Sequence, residues 1–136
     1  MAPPIFYCNN PVVNNGYLTC NRPYEQTPVT LYWVGGAVGH TTDFNWAANW
    51  SASSGGGGGT QAPTVFTDLI FDSASTTNCA LTANAACRSI TSTSNFVRTF
   101  NTSIYSLNSQ SSISFVGHGG LTFGGVVQLL SVMFML

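Results

Sequence analysis

The sequence predicts an all-β fold, a short β-solenoid or β-sandwich body carrying an extended N-terminal arm. Three observations lead there. Val, Ile, Phe, Tyr and Thr recur in short runs bounded by Gly, Asn and Ser, while no long stretch of Ala, Leu, Glu and Lys favours helix. The runs return at intervals of about 8 to 12 residues, the rhythm of a sandwich, a barrel or a solenoid. Residues 1–30 hold five of the six prolines and five of the twelve asparagines and show no sustained apolar period, so they cannot build a core alone.

The elements follow in order from these signals. Residues 1–30 are the expected arm, with Asn14-Asn15-Gly16 as a good turn inside it. The body is expected over residues 31–136. Its first stretch, Leu31 to Trp50, holds all three tryptophans, and residues 53–60 form a Gly-rich loop whose five consecutive glycines, Gly55 to Gly59, give high backbone freedom. After Pro63 strands are expected at 64–66, 68–72, 80–82, 88–92, 96–100, 103–107, 112–116, 120–123 and 126–135, each gap holding a turn residue. In a solenoid with coils of about 20 residues, Ile90, Ile104 and Ile113 would stack on one another.

Charge is the next constraint. The chain has no lysine; its charged residues are three Arg, three Asp and Glu25, and none follows Arg98. A soluble monomer normally covers itself with about 25 per cent charged residues, so much of this surface is expected to be satisfied by other subunits rather than by charge facing water. The last eleven residues, VVQLLSVMFML, sharpen that expectation, because as a strand both faces are apolar. Val132 and Phe134 are the interface residues expected there. A net charge of −1 without a basic cluster removes the electrostatic footprint of a nucleic-acid or anionic-membrane binder. The start, MAPPIFYCNNP, has no positive n-region, and the C-terminal apolar run is shorter than the roughly 20 residues of a spanning helix, so a soluble protein is expected.

Cys8, Cys20, Cys79 and Cys87 form no C-x-x-C pair, and His40 and His118 lie at no ligand spacing, so neither a metal nor a cofactor is expected. The cysteines are either buried thiols or disulfides formed after release from the cell, Cys8 with Cys20 closing a small loop. No enzyme is expected and no catalytic residue is assigned. Glycoside hydrolysis needs carboxyls about 5 to 9.5 Å apart, whereas Asp68 and Asp72 on one strand would stand about 13 Å apart. These two acids are expected to bond backbone N–H groups or Arg88. Gly117-His118-Gly119-Gly120 reads as a tight turn.

The most specific string is Tyr32-Trp33-Val34-Gly35-Gly36, then Asp43-Phe44-Asn45-Trp46-Ala47-Ala48-Asn49-Trp50-Ser51, the Gly-rich loop, Pro63 and Asp68-Leu69-Ile70-Phe71-Asp72. In this order the elements resemble a W-x-G-G, N-W, Gly-rich, P, D-x-x-F-D pattern of bacteriophage structural proteins and of β-solenoid modules in bacterial surface adhesins. The resemblance implies a non-enzymatic structural subunit of a virus particle, a head decoration or tail accessory protein made in the host cytoplasm and carried in the virion. Its partners would be identical copies and another virion structural protein. The alternative it implies is a carbohydrate-binding adhesin module, extracellular or on a cell or tail-fibre surface, with a surface glycan as partner. Chemistry gives Trp33, Trp46 and Trp50 two readings: buried covers over one end of a β stack, or a platform for sugar faces flanked by Asp43, Asn45 and Asn49.

Overall fold

A computed structural model describes residues 6–14, 17–25, 27–59, 61–116, 120–122 and 124–129. The chain is all-β there, with one 3-10 turn at Ala47–Asn49. The arm is a hairpin: β1 (Phe6–Asn14) runs antiparallel to β2 (Tyr17–Glu25), with Phe6 opposite Glu25 and Asn14 opposite Tyr17. Over the described residues the expected arm is therefore a two-stranded ribbon.

The body starts at β3 (Val29–Trp33), two residues ahead of the expected boundary, and continues through β4 (Trp50–Ser51), β5 (Thr67–Phe71), β6 (Cys79–Ala80) and β7 (Ala85–Ser92). It ends in β8 (Phe100–Asn101), β9 (Leu107–Phe115), β10 (Leu121–Thr122) and β11 (Val127–Leu129). Two sheets result. The larger has the order β11-β9-β7-β5-β3-β4, parallel throughout except for β4, which runs antiparallel to β3. The smaller, β10-β8-β6, is parallel throughout.

The register turns the sequence into columns. Leu31, Leu69, Ile90 and Ile113 stand opposite one another across four strands of the large sheet. Cys79, Phe100 and Leu121 do so in the small sheet, 21 residues apart at each step. Ile104 is not a member of the isoleucine column: it sits in the turn before β9 and is 80% exposed. Residues 103–106, expected as strand, instead turn a corner, with Ser103 at φ 54 and the Tyr105 N–H donating to Thr102 O. Residues 64–66 are likewise a turn, closed by Thr67 N–H donating to Thr64 O, and 96–99 lie outside strands although Phe96 is buried. Strand-forming residue types at these corners misled the periodicity, because a corner between two short strands can bury a Phe or expose an Ile without pairing it.

The core lies between the sheets and is aromatic. Phe71 from the large sheet meets Phe100 from the small one at 5.5 Å between ring centroids, and Phe96 and Phe115 pack on the same pair. Neutral side chains tie one rung to the next at the corners. Asn78 Oδ1 accepts from Thr99 N–H, Asn84 Oδ1 from Ser106 N–H, and Asn45 Oδ1 from both Thr82 and Ala83 N–H. Buried hydroxyls do the same inside: Ser92 Oγ accepts from Val116 N–H, and Ser109 donates to Arg88 O. The scarcity of charge thus has a structural use, since amides and hydroxyls satisfy corner N–H groups without setting like charges one above another.

Leu69 occupies the interior of its column, so Leu69→Ala is expected to cost about 2–5 kcal/mol in urea unfolding. Ile104→Ala, at its exposed corner, is expected to stay within about 0.5 kcal/mol of wild type.

Candidate functional site

The W-x-G-G and N-W strings meet at one end of the stack, where Asn49 is the hub. Its backbone N–H donates to Trp46 O, and its backbone O accepts from Val34 N–H and Gly35 N–H at 2.9 and 3.1 Å. Its side chain adds three bonds: Oδ1 accepts from Ala37 N–H, and Nδ2 donates to His40 O and Asp43 O at 2.6 and 2.9 Å. The residue is fully buried, so every one of these polar groups relies on the others. Glycine is required at 35, where φ is +68 and a Cβ would strike Thr77 Oγ1. It is required at 58 by close approach to the Ala48 carbonyl. The Gly-rich loop is consequently seated against the turn at 47–49, with Gly59 N–H donating to Ala47 O and Trp50 O.

Beneath this network Trp33 and Trp50 close the interior. Both are fully buried, their rings meet edge to face at 5.1 Å, and each contacts Phe71. Each indole N–H finds a carbonyl, Trp33 that of Thr77 and Trp50 that of Phe44. Strand β4 lies across the outer edge of β3, with Trp33 opposite Trp50, so the same residues that cover the core also occupy the sheet edge.

Trp46 departs from the expected cover. It is 43% exposed and stacks on the His40 ring at 3.6 Å with an interplanar angle of 9°. His40 also lies 3.4 Å from the Asp43 carboxylate. The polar residues around it are already engaged. Asp43 Oδ1 accepts from Asn45 N–H and from Thr82 Oγ1, and Asn45 Oδ1 serves the Thr82–Ala83 corner.

The two aspartates of the D-x-x-F-D string hold structure. Asp68 pairs with Arg88 and accepts from Ser89 Oγ, joining β5 to β7. Asp72 caps the following turn through Ala74 N–H and accepts from Ser54 Oγ across to the Gly-rich loop. Among the described residues no group of three His, Cys, Asp or Glu side chains converges as a metal site. Cys79 and Cys87 are free and buried; burial pushes the Cys79 thiol well above its ordinary range and the Cys87 thiol up to about 11, so neither is a nucleophile near neutrality. In the hairpin Cys8 stands opposite Pro23 and Cys20 opposite Pro11. Val132, Phe134 and His118 lie outside the described residues.

The sequence reading placed the tryptophans at this end but assigned Asn49 only a sugar-bonding role. The signal for its real position was present: an Asn set directly before a Trp in an apolar setting, downstream of a Gly pair whose N–H groups need acceptors. Comparison of the chain with protein-family models, with curated proteins and with solved structures gives no match.

Asn49→Ala is expected to orphan Ala37 N–H, at about 1–3 kcal/mol for a group left dry, while His40 O and Asp43 O each lose one of two donors and keep the N–H of Asp43 and of Trp46. Asn49→Asp keeps the shape but removes both side-chain donors and sets a carboxylate against two carbonyls, so it should destabilise at least as much. Urea unfolding followed by Trp fluorescence checks both; an Asp variant of wild-type stability would contradict the assigned bonds.

Proposed function

We propose that this chain is a non-enzymatic structural subunit of a virus particle, a phage head decoration or tail accessory protein built as a short β-solenoid. Its work is adhesion to identical copies and to another virion structural protein. One observation carries the reading: among the described residues the sheets are covered at the tryptophan end and finish at the other in half-exposed apolar residues, Leu121, Val126 and Leu129, on a chain with no charged side chain after Arg98. A surface of that kind is suited to burial against protein. The parallel register at 21-residue steps supports the solenoid form, in which each coil buries its apolar positions on the next. Engagement of Asp43, Asp68 and Asp72 in structural bonds supports a role without catalysis. Among the described residues no helix is long and apolar enough to cross a membrane.

The adhesin reading keeps one favourable observation, the exposed Trp46 on its His40 stack. With Trp33 and Trp50 buried, it rests on a single ring rather than a platform of three.

Immunogold labelling with an antibody to the chain is expected to mark particles at regular repeats. Label on cell surfaces, together with glycan-array binding lost in Trp46→Ala while folding is kept, would overturn the particle reading and favour the adhesin.

A further inference from the structure

The two ends of the stack differ in kind. At the tryptophan end the outer edge of β3 is occupied by an antiparallel strand and the interior is covered by indole rings. At the other end the columns stop short. Cys79 and Phe100 are buried, while Leu121, next in their column, is 43% exposed; Cys87 and Ser109 are buried, while Leu129, next in theirs, is 51% exposed. These are inward-facing positions with nothing laid on them by the described residues. Strand β11 is also the last of its sheet, so its outer row of N–H and C=O groups has no ladder partner among those residues.

We propose that this end binds the same end of a second copy, β11 against β11 in antiparallel pairing, to give a two-fold dimer with one continuous core. The inference rests on the structural-subunit reading above and specifies its first contact. Three observations select a second copy in this orientation. An open strand edge with an apolar interior is complemented by another such edge, and the opposite end is the less open of the two, because β4 pairs with Tyr32 and Trp33 there and the indole rings cover its interior. Like meeting like is thereby favoured over head-to-tail stacking. No charged residue follows Arg98, so two copies meet without like charges facing one another. The last corner adds little bulk, since Gly124 and Gly125 pack directly on the carbonyls of Ser103 and Tyr105, with Gly125 N–H bonded to Thr102 Oγ1.

A two-fold axis normal to the sheets reverses strand direction while keeping each sheet on its own side. The large sheet then continues into the large sheet of the partner and the small into the small. Leu121 meets its counterpart, Leu129 packs beside Val127 of the other copy, and Gln128, mid-strand and exposed, falls near the axis.

Light scattering on the purified full chain is expected to give the mass of two chains. Leu121→Lys combined with Leu129→Lys is expected to give the mass of one, with the circular dichroism of wild type, whereas Val38→Lys on the exposed turn at the closed end should leave the dimer intact. A second readout holds even if the double variant fails to fold. Gln128→Cys should form a link from 128 to 128 between chains on mild oxidation, because facing residues of an antiparallel pair lie within disulfide reach. A monomeric wild type, a dimer indifferent to both Lys substitutions, or no 128-to-128 link would overturn the proposal. So would a monomer destabilised by deletion of residues 130–136, which would make that segment the cover. Particle labelling does not depend on any of these outcomes, so end pairing can fail while the structural-subunit reading stands, and the reverse.

Discussion

In both parallel sheets the inward side chains stand opposite the corresponding side chains of the next strand, and the rest of the structure depends on that constraint. Parallel strands in register set equivalent positions under 5 Å apart, so whatever occupies a position must tolerate its like directly above it. Leu31, Leu69, Ile90 and Ile113 satisfy this by dispersion and burial. The one charge in the β5–β7 register, Asp68, stands opposite the neutral Ser89 and is paired by the Arg88 guanidinium beside it. Elsewhere the corners use Asn, Ser and Thr, whose amides and hydroxyls accept from backbone N–H groups of the next coil. A chain nearly free of charge is a consequence of this arrangement.

The same constraint makes the ends the decisive places. A coil with no neighbour exposes its apolar positions and its strand edge together. At the first coil the chain spends residues 34–59 on the problem. It turns at Gly35 and Gly36, returns through the 3-10 turn, lays β4 on β3 and seats the glycine loop against Ala48. Asn49 joins these pieces because one buried residue bonds the backbone of Val34, Gly35, Ala37, His40, Asp43 and Trp46. The β10–β11 end shows no comparable device among the described residues, and Leu121 and Leu129 stand half exposed there.

Much of this was legible in the sequence, and the parts that were not have identifiable causes. Short runs of β formers with turn residues between them gave the all-β class, and Trp33 and Trp50 were placed as covers at one end. Asp68 and Asp72 were expected to bond Arg88 or backbone, as they do. Ile104 was grouped with Ile90 and Ile113, whereas Leu69 is the residue in register with them, because periodicity cannot tell an isoleucine in a strand from one at a corner. Trp46 was read as covered because its neighbours in sequence are, whereas it lies outside the network that its own carbonyl helps to close. Asn49 was misread because a buried hub and an exposed sugar contact use the same residue type, and only the positions of the surrounding carbonyls separate them.

Residue-resolved hydrogen exchange of the native chain tests most directly whether the closed end holds the body together. The Ala37 amide, bonded to the Asn49 side chain, and the Val34 amide, bonded to its backbone, are the reporters. If the closed end and the ladder form one cooperative unit, these amides exchange with the same opening free energy as the ladder amides of β5 and β7. Fast exchange at Val34 and Ala37 while β5 and β7 stay protected would show that the end frays independently, and the account would be wrong.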